Sequence, residues 1–346
     1  MKNFGLFIVI VGVLLSCSSE KQEGESQFYA KDKTDTDTSN AYLVKLEEQL
    51  EADPENIKLW IEKGLFCKEK MDFSCALDAG AKAFLLDSTN LEARSLYAWT
   101  LINKPEPPLG DIERAKRHYK YILSVKKNDP DLMVELANTY SLTGDFETSF
   151  KYINDALRIN DKHRDAYVLK GSNYRVVGNF ELALSSYQTA VQIDPDFYMG
   201  HLQIAYLLTE NENHKLALEY YNNAAQIDDN ALEALYGIAK SHQDLGQYEE
   251  AQIFYREILN INPDFYFSYF NQGYIKQYHQ NQIDSAIYYY NLTLEIEPES
   301  VLTLHHLGEA YYEQDRISDA ARAFAKVLTL NPDYKPTLKA KEKLKQ

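Results

Sequence analysis

The chain has 346 residues, 45% of them hydrophobic, which is enough for one extended or two compact domains with a buried core. Its 52 acidic residues outnumber the 36 basic ones and give a formal net charge of −16. Because such a charge repels phosphate backbones and no locally basic face is visible, we predict no nucleic-acid partner.

The first element of the chain is a predicted signal peptide. Lys2 precedes an apolar run from Phe4 to Leu15, which is too short to span a membrane comfortably, and Cys17 follows that run. The four residues that end at Cys17 resemble the bacterial lipobox, in which the cysteine receives a diacylglyceryl anchor before cleavage. The resemblance implies that residues 1–17 form a lipoprotein signal peptide and that Cys17 carries the lipid. An ordinary secreted protein whose signal ends in cysteine is the alternative.

The next segment, residues 18–39, is a predicted disordered tether. It is polar, acidic and low in aliphatic residues, so it cannot bury enough surface to fold. Ser18 beside the lipidated cysteine implies, by the sorting rule known for enteric bacteria, that the protein is anchored in the outer membrane. The acidic residues of the tether resemble the surface-export signals of Bacteroidetes lipoproteins only loosely. We therefore expect a protein that faces the periplasm rather than the cell exterior.

A predicted N-terminal helix, residues 40–56, precedes a repetitive body. Pro195, Asp229 and Pro263 lie 34 residues apart, and phrases such as NPDFY recur along the chain. The last unit shows the interior pattern most fully, at Leu304, Leu307, Gly308, Tyr311, Ala320, Phe324 and Pro332. A period of this length is the mark of a helical repeat.

The pattern resembles the tetratricopeptide repeat (TPR) over most of the chain after Ile57. The resemblance implies an all-α solenoid of antiparallel helix pairs, wound into a right-handed superhelix whose concave groove is lined by the first helix of every pair. We predict about eight units over residues 57–334 and a polar capping helix over residues 335–346. The units are predicted to start near Ile57, Leu91, Pro130, Arg164, Tyr198, Leu232, Tyr266 and Val301.

Two units depart from the period. Between Leu101 and Asp111 the sequence INKPEPPLGD inserts three prolines, which predict a stiff protruding loop that is either a contact site or a tolerated insertion. The unit from Tyr266 carries one extra residue near Tyr278 and His279.

That same unit opens with DFYFSYF, residues 264–270, which holds five aromatic rings. If the extra residue lies after Gly273, Tyr269 packs inward and Phe270 lies in the groove. The alternative register buries Phe270. We prefer the first register because Pro263 and Gly273 then keep their family positions.

The family binds peptides or extended segments in the groove, mainly through residues just after the Trp and Gly positions of each first helix. The Lys and Asn residues that clamp a C-terminal carboxylate in chaperone-binding members are mostly missing from these positions. The C-terminal half instead has a predicted apolar and aromatic strip at Leu202, Tyr206, Tyr236, Phe267, Phe270, Tyr274 and Tyr312. The alternative is that these rings pack on one another or on neighbouring helices.

Five further tyrosines occupy the wedge position of the second helix, where the family places a large core residue. They are therefore predicted to be core by position: Tyr119, Tyr187, Tyr221, Tyr255 and Tyr290.

Cys67 and Cys75 stand in the two helices of the first unit, eight residues apart across its turn. In an oxidising periplasm they are a possible disulfide, provided that their Cα atoms come within reach. Two small buried thiols are the alternative.

No motif for catalysis or for a cofactor is present in the sequence, so we predict no enzyme, no cofactor and no metal. His305 and Glu309 are one helical turn apart, but two ligands do not make a metal site, and we interpret them as part of a solvated polar face. The leading hypothesis is a non-enzymatic scaffold lipoprotein that binds an envelope or periplasmic protein in its groove. The alternative is a glycan-binding or nutrient-capture lipoprotein that stacks sugars on its aromatic rings.

Overall fold

The structure, a computed structural model, describes residues 36–228 and 231–344. In this part of the chain every regular element is an α-helix, which confirms the predicted fold class. The helices in chain order are α1 (Thr36–Ala52), α2 (Ile57–Glu69), α3 (Phe73–Leu86), α4 (Leu91–Ile102), α5 (Leu109–Val125), α6 (Pro130–Leu142), α7 (Phe146–Ile159), α8 (Arg164–Val176), α9 (Phe180–Ile193), α10 (Tyr198–Glu210), α11 (His214–Ile227), α12 (Leu232–Asp244), α13 (Tyr248–Ile261), α14 (Tyr266–Tyr278), α15 (Ile283–Ile296), α16 (Val301–Glu313), α17 (Ile317–Leu330) and α18 (Lys335–Lys343).

The predicted signal peptide, Cys17 and the tether as far as residue 35 lie outside the described residues. Helix α1 begins at Thr36, so residues 36–39, which we assigned to the tether, are helical. No proline or glycine stands between Thr36 and Asn40 to stop the helix from starting earlier than predicted. The helix ends at Ala52, just before Asp53 and Pro54, because the residue before a proline disfavours helical backbone.

Helices α2 to α17 form eight helical hairpins, each with a first and a second helix. The first helices, α2, α4, α6, α8, α10, α12, α14 and α16, begin at the eight residues where units were predicted to start. Side chains at the N-caps favour these boundaries, since their oxygens accept a backbone N–H of the first turn. Such caps are made on first helices by Asn56, Asn90, Asp129 and Ser300, and on second helices by Asp72, Asp145, Asn179 and Asn213.

The turn inside each hairpin contains one residue with positive φ. Glycine fills this position at Gly144, Gly178 and Gly246, with φ of 77°, 78° and 76°. In the hairpin of α14 and α15 the residue is Asn281, one position later in its unit than Asp315 is in the last hairpin. The extra residue of that unit therefore lies in the turn after α14.

A large ring packed against a small residue holds six of the eight hairpins together; the hairpins of α2 and α3 and of α6 and α7 have Gly80 and Ile153 at the ring position. All five wedge tyrosines are at most 3% exposed, as predicted, and the alanine four residues before each is fully buried. A Cβ atom added to Gly171 would lie 2.7 Å from the ring of Tyr187, and one added to Gly308 would lie 2.4 Å from that of Phe324. Contacts this close leave room for no side chain, so glycine lets the paired helices approach.

The described residues divide into two compact units between Gly200 and His201. The first has core clusters around Trp99, Tyr119 and Ile153, and the second has one around Tyr290. No helix in the described ranges is long and apolar enough to cross a membrane.

The proline-containing insertion forms the connection between α4 and α5. Its base is anchored, because buried Asn103 donates to the carbonyl of Trp99 at 3.0 Å and Lys104 pairs with Asp111. Whether it is a contact site stays a prediction.

Candidate partner-binding face

In the second compact unit, side chains of the first helices link each helix to the next first helix. Three hydrogen bonds do this: Tyr206 to Glu233, the Asn271 amide to the Tyr236 hydroxyl at 3.1 Å, and the Gln277 amide to Glu313 at 2.8 Å. The sequence did not suggest this polar ladder, because its partners stand 27 to 36 residues apart. These three hydrogen bonds hold the first helices together and so fix the positions of the aromatic rings on them.

The first group of rings centres on Tyr236. Its ring centroid lies 5.5 Å from that of Phe265 in an edge-on arrangement and 6.2 Å from that of Phe267. Burial raises the pKa of Tyr236 to about 12, although the hydrogen bond from Asn271 acts in the opposite direction. Tyr236 therefore stays a neutral hydroxyl, and its ring is half-buried among its neighbours.

The second group of rings centres on His306. The centroids of Phe270, Tyr274 and Tyr278 lie 5.6, 5.7 and 5.6 Å from that of His306, and Tyr274 lies 4.7 Å from Tyr278. Phe270 also contacts the wedge residue Tyr290 at 5.9 Å. Phe270 and Tyr274 are half-buried, whereas Tyr278 is 40% exposed.

One carboxylate, Glu309, borders the second group. The Tyr278 hydroxyl donates to its Oε2 at 2.6 Å, and Nδ1 of His306 and Nε2 of His305 lie 3.4 and 3.6 Å from the same oxygen. Burial acts to raise the pKa of Glu309, but the hydrogen bonds from His306 and Tyr278 outweigh it and hold the pKa at about 2. Glu309 is therefore a fixed negative charge at neutral pH.

We call the rings on these first helices the aromatic face: Tyr206, Tyr236, Phe267, Phe270, Tyr274, Tyr278 and Tyr312. Six of the seven predicted strip residues belong to it, and Tyr278 was not predicted. Tyr312 is 39% exposed, Tyr206 packs on the wedge residue Tyr221 at 5.8 Å, and the other half-buried members lie in the two groups described above. The rings pack on one another and still present surface, so their binding of a partner stays a prediction.

Leu202 does not belong to this face, which corrects the prediction. It is fully buried, together with Ile204, Ala205, Leu207 and Leu208 of the same helix. Helix α10 is apolar around most of its circumference, so it is buried on several sides and Leu202 has no surface for a partner. Other residues at the equivalent position, such as Val134 and Val168, are also buried.

His305 is also not on a solvated polar face, contrary to the prediction. It is buried, and its Nδ1 lies 2.9 Å from the Thr337 hydroxyl. Burial lowers the pKa of His305, with Glu309 opposing the effect. No cluster of three or more His, Cys, Asp or Glu that could hold a metal occurs within the part of the chain that the structure describes.

The first compact unit has a charged group that sequence reasoning missed. Lys68 Nζ lies 4.6 Å from the ring centroid of buried Trp99. Burial lowers the pKa of Lys68, with Glu135 and Asp131 opposing, and burial raises the pKa of Glu135 to about 7, with Lys68 opposing. The one sequence signal for this group was the position of Trp99, which directly follows the family's glycine position in the first helix α4.

Cys67 and Cys75 are joined as a disulfide between α2 and α3, with Cα atoms 5.7 Å apart. This separation is in the range that disulfides span. Cys67 is buried against Trp99 and Ala76.

The chain consists of successive helical hairpins, and side chains connect the first helix of one hairpin to the first helix of the next. This arrangement defines the class of helical-repeat proteins. Models of the tetratricopeptide repeat match residues 130–163, 168–231, 208–269 and 301–334. The chain is thus a tetratricopeptide repeat protein. No curated protein matches it.

Solved structures agree with this fold. The C-terminal part of a TPR repeat-containing protein from Cytophaga hutchinsonii has a TM-score of 0.58 at 17% identity, over 66% of this chain and 94% of that one. The human IFIT1 dimer with m7Gppp-AAAA has a TM-score of 0.56 at 17% identity, over 85% and 77%. The APC/C hetero-tetramer Cut9-Hcn1 has a TM-score of 0.55 at 14% identity, over 90% and 60%. At these identities the likeness concerns the fold alone.

Proposed function

We propose that this protein is a non-enzymatic adaptor whose aromatic face binds an extended segment of a partner protein, and that a lipid on Cys17 anchors it in the bacterial outer membrane. The observation that carries the binding proposal is the fixed arrangement of the rings. Phe267, Phe270 and Tyr274 are half-buried, and Tyr278 and Tyr312 are more exposed. Apolar patches of partly exposed rings favour an interaction site.

The hydrogen-bond ladder supports this proposal energetically. Because the rings are already held by their neighbours, a partner has little side-chain motion to restrict on this side of the interface. Each ring that a partner covers further would contribute about 1 kcal/mol or more. Several such contacts suffice for micromolar affinity once the cost of association is subtracted.

The anchor and compartment rest on the sequence and on one compatible feature of the described residues. The lipobox resemblance predicts lipidation of Cys17. The disulfide between Cys67 and Cys75 suits an oxidising compartment such as the periplasm. We expect labelling with an alkyne fatty acid to mark the full chain and to fail for Cys17→Ser. Labelling of the serine variant, or membrane association that is unchanged in it, would disprove the anchor.

Site-specific photocrosslinking in the native envelope tests the binding face. A photoreactive amino acid at Tyr278 or Tyr312 should capture one discrete protein, whereas the same group at Tyr288 should not. Tyr288 is 60% exposed on the second helix α15, outside the aromatic face, and is thus a matched control. Equal capture from all three positions would refute the proposal.

Two variants check that capture depends on the rings. Phe270→Ser should reduce capture from Tyr278, and Phe267→Ser should do so without touching the second ring group. Since Phe270 also packs on the core, its variant needs a circular dichroism spectrum and a melting curve that match the parent. Retention on polysaccharide columns without protein capture would favour the glycan-binding alternative instead.

A further inference from the structure

The charges beside the aromatic face are mostly of one sign. Five carboxylates stand on the same first helices as the rings: Glu210, Glu233, Asp244, Glu309 and Glu313. Two lysines stand on these helices: Lys240 Nζ lies 3.5 Å from Asp244, and Lys276 Nζ donates to the Gln280 side chain at 2.8 Å, so the carboxylates outnumber the lysines. Buried His305 has a lowered pKa and does not neutralise Glu309 at neutral pH. The face therefore carries a net negative charge.

Glu309 still has acceptor capacity for a ligand. Tyr278, His306 and His305 all contact the same oxygen of Glu309, Oε2. The other oxygen, Oε1, has no hydrogen-bond partner among the residues that the structure describes, and the side chain is 35% exposed. An ionised carboxylate has about four acceptor sites, so a cationic donor can be added without breaking the existing bonds.

The rings next to Glu309 favour the same kind of ligand. Tyr278 donates to the carboxylate, and its ring packs against Tyr274. The faces of aromatic rings carry partial negative charge, which attracts ammonium and guanidinium groups within about 6 Å of the ring centroid. A carboxylate beside such rings supplies the counter-charge for that cation.

We infer that the segment bound by the aromatic face is cationic, with an arginine or lysine side chain seated against the exposed ring of Tyr278 and Oε1 of Glu309, on the side away from His306, and a second one close to Glu313. The inference rests on the proposed function, since it specifies the partner of the same face. Charge complementarity selects this partner: an anionic segment would meet like charge at Glu309 and Glu313, and an uncharged segment would leave them unpaired.

A pair of synthetic peptides tests the inference. Both are fluorescein-labelled, of 12 residues, with leucine and alanine at the same positions, and they differ in having arginine or its neutral isostere citrulline at every third position. Fluorescence anisotropy with the full chain in a non-ionic detergent should show the arginine peptide binding at least about tenfold more tightly. Its affinity should fall with added salt, because partly exposed ion pairs are screened.

Carboxylate variants locate the effect. Glu309→Gln and Glu313→Gln should each weaken the arginine peptide about three- to tenfold and leave the citrulline peptide unchanged. Glu250→Gln is the matched control, since it removes the same charge from an exposed position on the second helix α13 and should change neither affinity. The glutamine variants keep the acceptor oxygen for Tyr278 and Gln277, so a folding defect is not expected.

The outcomes separate this inference from the proposed function. Equal affinities for the two peptides would overturn the cationic partner, because peptide charge would then not affect binding. Equal losses in Glu250→Gln and Glu309→Gln would also overturn it, because only the overall charge of −16 would then matter. If Tyr312 still crosslinks a discrete partner in that case, the adaptor proposal stands. If no protein is captured from the face at all, the adaptor proposal fails first.

Discussion

Gln272 is a polar residue in a position of the first helix that other units fill with an aliphatic side chain. The equivalent residues Ile204, Ile238 and Leu307 are buried, and Gln272 is 1% exposed. Its Oε1 is buried without a hydrogen-bond partner among the described residues. Leaving such an acceptor unpaired costs about 1–3 kcal/mol, because its hydrogen bond to water is lost on folding and not replaced.

Gln272→Leu should therefore stabilise the hairpin of α14 and α15 by about 1–3 kcal/mol. Repeat arrays open locally, so the gain should appear most clearly in native-state hydrogen exchange. Amides of this hairpin should exchange about 5- to 100-fold more slowly, since 1.4 kcal/mol corresponds to a factor of ten. The melting temperature should rise as well.

Gln192→Leu is the control for this experiment, since Gln192 is exposed on the second helix α9. That substitution should leave exchange and melting nearly unchanged. Destabilisation by Gln272→Leu, or an equal gain in the control, would show that Oε1 is satisfied in solution and that the reasoning is wrong.

Three further predictions follow from the packing and from one raised pKa. Tyr290→Ala should destabilise the protein by about 3–5 kcal/mol in urea denaturation because it empties a wedge, whereas Tyr288→Ala on the exposed side of the same helix should cost less than about 0.5 kcal/mol. Gly308→Ala should lower the melting temperature because its Cβ would meet a phenyl ring at 2.4 Å, and Gly110→Ala, with nothing within 4 Å, should not. Glu135 has a pKa of about 7 in the folded state, raised from the ordinary 4.5, so its contribution to stability is full below pH 4.5 and is lost as the pH rises through 7. Glu135→Gln should consequently gain about 1–3 kcal/mol over the parent at pH 8 but not at pH 4.5, and a constant difference between the two pH values would contradict the raised pKa.

The helical hairpins could be predicted from the sequence because their determinants are local. The helix starts follow from cap residues such as Asn90 and Asp129, and the wedge follows from an alanine and a ring four residues apart. Each signal lies within one repeat and recurs in phase. For this reason the eight starting residues and the five buried tyrosines agree with the structure.

The exposure of side chains on the first helices could not be predicted in the same way. Whether a residue such as Leu202 is buried depends on the neighbouring first helix, which is a full repeat away in the sequence. The same distance hides the bonds from Tyr278 to Glu309 and from Tyr206 to Glu233. A residue's position in the repeat predicts which side of the helix it lies on. It does not predict how much of that side chain the neighbouring helix covers.

The stretch DFYFSYF shows how these two levels combine. Phe265 is the N-cap residue of α14, a position where helices such as α4 and α6 have Asn or Asp, and in the described structure its side chain makes no cap hydrogen bond. It is instead fully buried beside Tyr236 and Phe267. A lost cap costs about 1 kcal/mol, whereas burying a phenyl ring contributes about 1.5–3 kcal/mol. Ring burial therefore outweighs capping at this residue. The buried ring also packs against Phe267, with ring centroids 5.8 Å apart. Because the extra residue of the unit lies after α14, Phe270 keeps its place next to Tyr274 on the aromatic face.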